Sequence, residues 1–183
     1  TDVLLGWLFG GILVLGFTLV YKPLLAWLKN FKVGKRIILA FIASLIMVLL
    51  SLSARAINPE WMMPSDWAAR AGEVAPLSLN GAVTMAGVSF GFLAGFAWLL
   101  KLKGILDSKG AWWKRLLRLV LGLAGVMVLY LGLGSLFPDE PELLGLVLRY
   151  IRYGLIGFWV VMGAPLVFKA LKLAEFKDVP DWG

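Results

Sequence analysis

"GAVTMAGVSFGFLAGFAWLL", residues 81–100, contains no charged residue and is long enough to cross a bilayer. At 1.5 Å rise per residue, about 20 helical residues span a hydrocarbon core of roughly 30 Å. Gly87, Gly91 and Gly95 recur at every fourth position, with Thr84 and Ala94 adjoining the same stripe. On a helix such small residues share one face and let a second helix approach closely. Two uses stay open for that face: packing inside a bundle, or pairing with a second copy of the chain.

Four more apolar runs accompany it, at Val3–Tyr21, Ile37–Ser53, Leu116–Phe137 and Leu143–Phe168. Ile37–Ser53 is short, and Ala54, Ala56 and Ile57 extend it. The first run lacks a basic leader and a small-residue cleavage site, so it reads as a span and not as a signal peptide. Of the 183 residues, 61% are hydrophobic and 16% charged, and mean hydropathy is +0.88. Soluble domains hold about 45–50% apolar and about 25% charged residues. The predicted fold is therefore all-α, a polytopic membrane bundle of about five transmembrane helices. Shorter glycine patterns, Gly6 with Gly10 and Gly122 with Gly125 and Gly132, fit helix packing in such a bundle.

The links between spans divide by charge. The first holds Lys22, Lys29, Lys32, Lys35 and Arg36 with no acid. The third holds Lys101, Lys103, Lys109, Lys114 and Arg115 against Asp107. The tail adds Lys169, Lys172 and Lys177, balanced by Glu175, Asp178 and Asp181. Residues 54–80 carry only Arg55 and Arg70 as bases, and the turn "PDEPE", residues 138–142, carries none. Because Lys and Arg favour the cytoplasmic side, the N-terminus is expected outside and the C-terminus inside. The segment Lys22–Arg36 sets Leu24, Leu25, Trp27, Leu28 and Phe31 among lysines and reads as a basic interfacial helix. In the outer link, Trp61 and Trp67 suit the headgroup layer, and Ser65 is placed to cap a short helix over Asp66–Ala71.

There is no histidine and no cysteine. The chain therefore supplies no imidazole base, phosphohistidine, imidazole or thiolate metal ligand, or disulfide. No metal and no cofactor is expected. In a membrane protein the net charge of +7 reports orientation first, so nucleic acid is not an expected partner. "PSDW", Pro64–Trp67, looks superficially like a Pro-Ser active-site turn, but the histidine it needs is absent.

Arg149 and Arg152, flanked by Tyr150 and Tyr153, stand at i, i+3 in the outer part of the fifth span. Charges at that depth are costly and are candidate functional groups. Either they hold a lipid phosphate in bidentate fashion, or they snorkel outward and pair with Asp139, Glu140 or Glu142. Arg118, near the inner edge of the fourth span, reads as an interfacial anchor.

The opening "TDVLLGWLFG" resembles the end of the third signature motif of the type 2 phosphatidic acid phosphatase superfamily. That motif ends in His, an aromatic, Pro, Thr, Asp, Val or Ile, two residues and Gly. Thr1, Asp2, Val3 and Gly6 fit its last positions. By this resemblance Asp2 is the third member of a catalytic triad, the acid that orients the attacking histidine. Family members keep that site at the extracytoplasmic ends of their spans, where the charge distribution also puts Asp2. Ala111–Leu133 and Leu148–Phe168 resemble the C-terminal extension of larger bacterial members. Absent are the KxxxxxxRP motif, the PSGH turn, and the arginine and histidine that precede Asp2 in the third motif. The resemblance implies the last part of a longer lipid phosphate or polyprenyl diphosphate phosphatase, inactive as this chain alone. Residues 1–21 are then the last core helix, 22–36 the basic segment, and 37–183 a four-helix extension with the outer link 54–80.

Two other classes compete. A structural or accessory subunit of a larger membrane complex suits nine Trp and many Gly, although the lack of His removes the commonest pigment-metal ligand. A transporter component usually needs paired intramembrane acids, and these spans have none. Expected partners are membrane lipids, a catalytic region or partner membrane subunit, and a second copy of the chain. The expected location is the plasma (inner) membrane.

Overall fold

The computed structural model describes residues 2–59, 61–72, 78–102, 105–107, 109–137 and 143–177. Helices α1 (Asp2–Lys29), α2 (Val33–Ile57), α3 (Ser65–Ala71), α4 (Leu79–Lys101) and α5 (Trp112–Leu136) follow in order. The last span is composite: α6 (Leu143–Phe158), a π-helical turn (Trp159–Gly163) and α7 (Ala164–Ala170). Among the described residues, five helical segments are long and apolar enough to cross a membrane. The protein is an all-helical, multi-pass membrane protein, apart from one antiparallel pairing of β1 (Ile105–Leu106) with β2 (Phe176–Lys177).

The chain divides into two compact units, residues 1–36 and 37–183. In the first, α1 is apolar around its whole circumference, as a lipid-facing span should be. It runs unbroken through Tyr21 and Pro23 to Lys29. Residues 22–36 thus form no helix of their own. Their first half continues α1, a turn follows at Asn30 and Phe31, and the rest opens α2. Arg36 fixes that turn, donating from Nε to the Leu28 carbonyl at 2.9 Å and from Nη2 to the Lys29 carbonyl at 3.1 Å. A cation there satisfies the last carbonyls of α1 and opposes the negative end of its dipole. Trp27 packs edge-on against Phe31 at 4.6 Å, and Lys35 Nζ lies 4.0 Å from the Phe31 ring centroid.

In the second unit, α4 and α6 meet backbone to backbone. A methyl group at Gly91 would overlap the Gly154 carbonyl, and one at Gly87 would lie 2.6 Å from the Tyr150 carbonyl oxygen. From the other side, a methyl at Gly157 would collide with the Val88 carbonyl. Gly95 continues the contact, its missing Cβ falling 3.3 Å from Val161 Cβ. Glycine pairs let helices approach so closely that dispersion contacts and backbone dipoles hold them, which matters where lipid removes the hydrophobic drive between helices. Ala86, Ala94 and Ala97 are buried along the same helix.

The π-helical turn has a local cause and a packing use. Pro165 brings no N–H, and the Ala164 N–H bonds back to the Trp159 carbonyl, five residues earlier. The Trp159 indole then fills the space that side chains at Gly125 and Gly163 would occupy. Its Nε1 donates to the Gly122 carbonyl on α5 at 3.1 Å. Buried indole N–H groups need such a partner, and this one ties α5 to the last span.

At the basic end, α7 closes in a Schellman motif. Leu173 N–H bonds the Phe168 carbonyl at 2.9 Å, and Lys172 N–H bonds the Lys169 carbonyl at 3.0 Å. Lys172, with φ 55°, takes the left-handed position that glycine usually fills. Leu173 and Phe168 pack together with Ala164 and Ala174, and the tail returns to pair β2 with β1.

Gly91→Ala should drive α4 from α6, lowering the melting temperature in detergent by at least about 2 °C for a penalty of roughly 1–3 kcal/mol. Gly132→Ala, where a methyl meets nothing within 4 Å, should leave it unchanged or raise it slightly. Equal effects in thermal unfolding would contradict the close approach.

Candidate functional site

The α4–α6 contact sets the depth and rotation of Tyr150, Arg149 and Arg152. Tyr150 stacks on Phe90 of α4 at 5.9 Å, and Phe41 of α2 meets both rings edge-on. The Tyr150 hydroxyl lies 2.6 Å from Ser44 Oγ on α2. Ser44 has one hydroxyl proton, and its Oγ donates to the Phe41 carbonyl at 2.7 Å, so Tyr150 is the donor between the two hydroxyls. Ser44 is 1% exposed. Sequence reading passed over this tie, although an isolated serine inside an apolar span is the signal that points to one.

Arg152 is buried in the second unit. It is 7% exposed, with its guanidinium 5.1 Å from the Tyr153 ring centroid and 5.5 Å from that of Tyr130 on α5. The two tyrosines themselves meet at 6.3 Å. Gly134 leaves room for the far end of the side chain, since a methyl there would lie 3.1 Å from Nη1. Arg152 Nε has no hydrogen-bond partner among the described residues. Arg149, one turn earlier, is half-buried and engaged elsewhere. Asp139, Glu140 and Glu142, the expected ion-pair partners, lie outside the described residues.

Arg118 differs from the expected interfacial anchor. It is 8% exposed and donates to the carbonyls of Lys114 at 3.2 Å, Asp107 at 3.2 Å and Lys109 at 3.3 Å. The link between α4 and α5 folds over it, which no count of apolar residues along α5 reveals.

Asp2 is the first residue of α1, where the positive end of the helix dipole favours a carboxylate. Its side chain, like all of Thr1, lies outside the described residues. Gly87, Gly91 and Gly95 face α6 within the chain. Their counterparts Gly154 and Gly157 went unnoticed in the sequence because the arginines and tyrosines around them break the apolar pattern.

Residues 83–176 match the family described as PAP2 superfamily phosphatase, transmembrane extension. The match runs from the first turns of α4 to β2 and takes in just over half the chain. No curated protein and no solved structure gives a match.

Replacing Arg152 by Met removes a buried charge but keeps the length of the side chain. Where a buried cation is not held by a full set of acceptors, such a change is neutral or stabilising. Arg152→Met should therefore leave the melting temperature level or raised. A fall of several degrees would instead make the Tyr130–Arg152–Tyr153 cluster a structural element.

Proposed function

The chain belongs to the PAP2 superfamily phosphatase transmembrane-extension family, and we propose that it forms the noncatalytic membrane region of a lipid phosphate or polyprenyl diphosphate phosphatase. The observation that carries this reading is the coincidence of the family region, residues 83–176, with the glycine-locked helices α4 to α7. The opening Thr1, Asp2, Val3 and Gly6 support it from the other end, through their resemblance to the end of the superfamily's third motif.

In this proposal Asp2 stands at the outer end of α1 and accepts a hydrogen bond from the histidine that attacks phosphorus. That bond fixes the imidazole tautomer and stabilises its cationic form. The extension supplies no nucleophile and no base, and without a histidine the chain alone releases no phosphate. Its outer contribution is Arg152, with Arg149 beside it: guanidiniums at this depth suit the phosphate of a lipid substrate approaching from the bilayer. The Lys and Arg distribution supports an N-terminus outside and a C-terminus inside.

The gene product as the cell makes it provides the test. Intact mass and N-terminal sequencing should reveal PSGH and His-x-Pro upstream of Thr1. In that protein Asp2→Asn should lower phosphate release from lipid phosphates by about 10²- to 10⁴-fold with melting unchanged. Unaltered turnover would reduce Asp2 to a helix-start carboxylate, and a native start at Thr1 would overturn the phosphatase reading.

A further inference from the structure

The basic end of the second unit carries an open, shallow cavity that the phosphatase reading does not use. Three features build its rim. The β1–β2 pairing joins the α4–α5 link to the tail, and the Asp107 N–H adds a bond to the Glu175 carbonyl at 2.8 Å. Lys114 Nζ donates to the Lys172 carbonyl at 3.2 Å, tying the start of α5 to the Schellman turn. Arg118, held by its three carbonyls, forms a wall that is in place before any ligand arrives.

The cavity measures about 500 Å³ and is lined by Leu106, Lys109, Arg115, Arg118, Leu119 and Phe168. Three of the six are cations, none is an acid, and the other three are apolar. The volume falls in the range of about 300–1,000 Å³ usual for small-molecule sites. Leu119, on α5, is exposed, so the apolar half opens toward the surface that a membrane span presents to acyl chains. Trp112 and Trp113, exposed at the start of α5, mark the headgroup level beside it. A soluble anion could use the cations but has no use for an apolar half that opens into lipid. A neutral lipid could use the apolar half but offers no anion to the cations beside it. An anionic phospholipid satisfies both, and basic pockets between spans on the cytoplasmic side commonly take such headgroups.

We propose that this cavity binds the phosphate headgroup of an anionic phospholipid of the inner leaflet, with Lys109 and Arg115 meeting the phosphate beside Arg118 and an acyl chain lying along Leu119. Binding there joins the α4–α5 link, α5 and α7 around one ligand.

Native mass spectrometry of the full chain released from neutral detergent tests this. Phosphatidylglycerol, phosphatidylcholine of the same acyl chains, and inorganic phosphate are compared as ligands. Lys109 and Arg115 are exposed, so Lys109→Gln with Arg115→Gln should fold, as melting will check. The pair should weaken phosphatidylglycerol retention about thirty-fold, at roughly 1 kcal/mol per cation. Arg55→Gln with Arg70→Gln, both exposed and outside the cavity lining, removes the same charge and should leave retention unchanged. Equal losses in both double variants, or equal retention of phosphatidylcholine, would overturn the site. Inorganic phosphate displacing the lipid at equal concentration would assign the cavity to a soluble phosphate and overturn the lipid as its occupant.

Discussion

The approach of Gly91 on α4 to the Gly154 carbonyl on α6 is the contact on which the second unit depends. In water, two apolar helices are driven together by burial. In lipid that drive vanishes, and association rests on packing and on backbone contacts that only small residues permit. Gly87 against the Tyr150 carbonyl and Gly157 against the Val88 carbonyl extend the contact above and below. Once these backbones touch, the register of α6 is fixed. Tyr150 must meet Phe90, its hydroxyl must reach Ser44 on α2, and Arg152 must turn toward α5. Further along the same span, Trp159 reaches the space that Gly125 leaves on α5.

A second consequence concerns where charge sits. The two most buried guanidiniums lie near opposite ends of the bundle, Arg152 among tyrosines and Arg118 among backbone carbonyls. Each is held by a helix whose position the glycine contact or the Trp159 tie determines. The bundle therefore presents fixed cations near both headgroup layers without carrying a charge through its middle.

The spans were legible because an uncharged apolar run of about 20 residues matches the thickness of the hydrocarbon core and exceeds what a buried soluble helix needs. The short α3 was legible from its flanking polar residues. What escaped depended on pairs distant in sequence. The β1–β2 pairing joins residues 105–106 to 176–177, each strand too short to show a period. The π-helical turn needs Pro165 read together with the Trp159 indole and two glycines on different helices. The segment 22–36 looked like a separate amphipathic helix because its lysines recur. Pro23 nevertheless lies within α1, and the turn comes only where Arg36 can reach back to Leu28. Of the candidate site, the unusual depth of Arg152 could be read from its place in the span. Its placement over the rings of Tyr130 and Tyr153 could not, since it requires knowing which face of α5 it meets. Arg118 looked like an interfacial anchor because the fold of the α4–α5 link over it leaves no trace in local composition.

Whether the α4 stripe serves the interior of one chain or joins two chains can be measured directly, because the protein contains no cysteine. A Cβ built on Gly95 lies 3.3 Å from Val161 Cβ, close to the separation a disulfide requires. Gly95→Cys with Val161→Cys, oxidised in the membrane and digested without reduction, should give a cross-linked peptide pair from monomeric protein. Cross-links found only in dimers, or none at all, would contradict a bundle built on the α4–α6 contact.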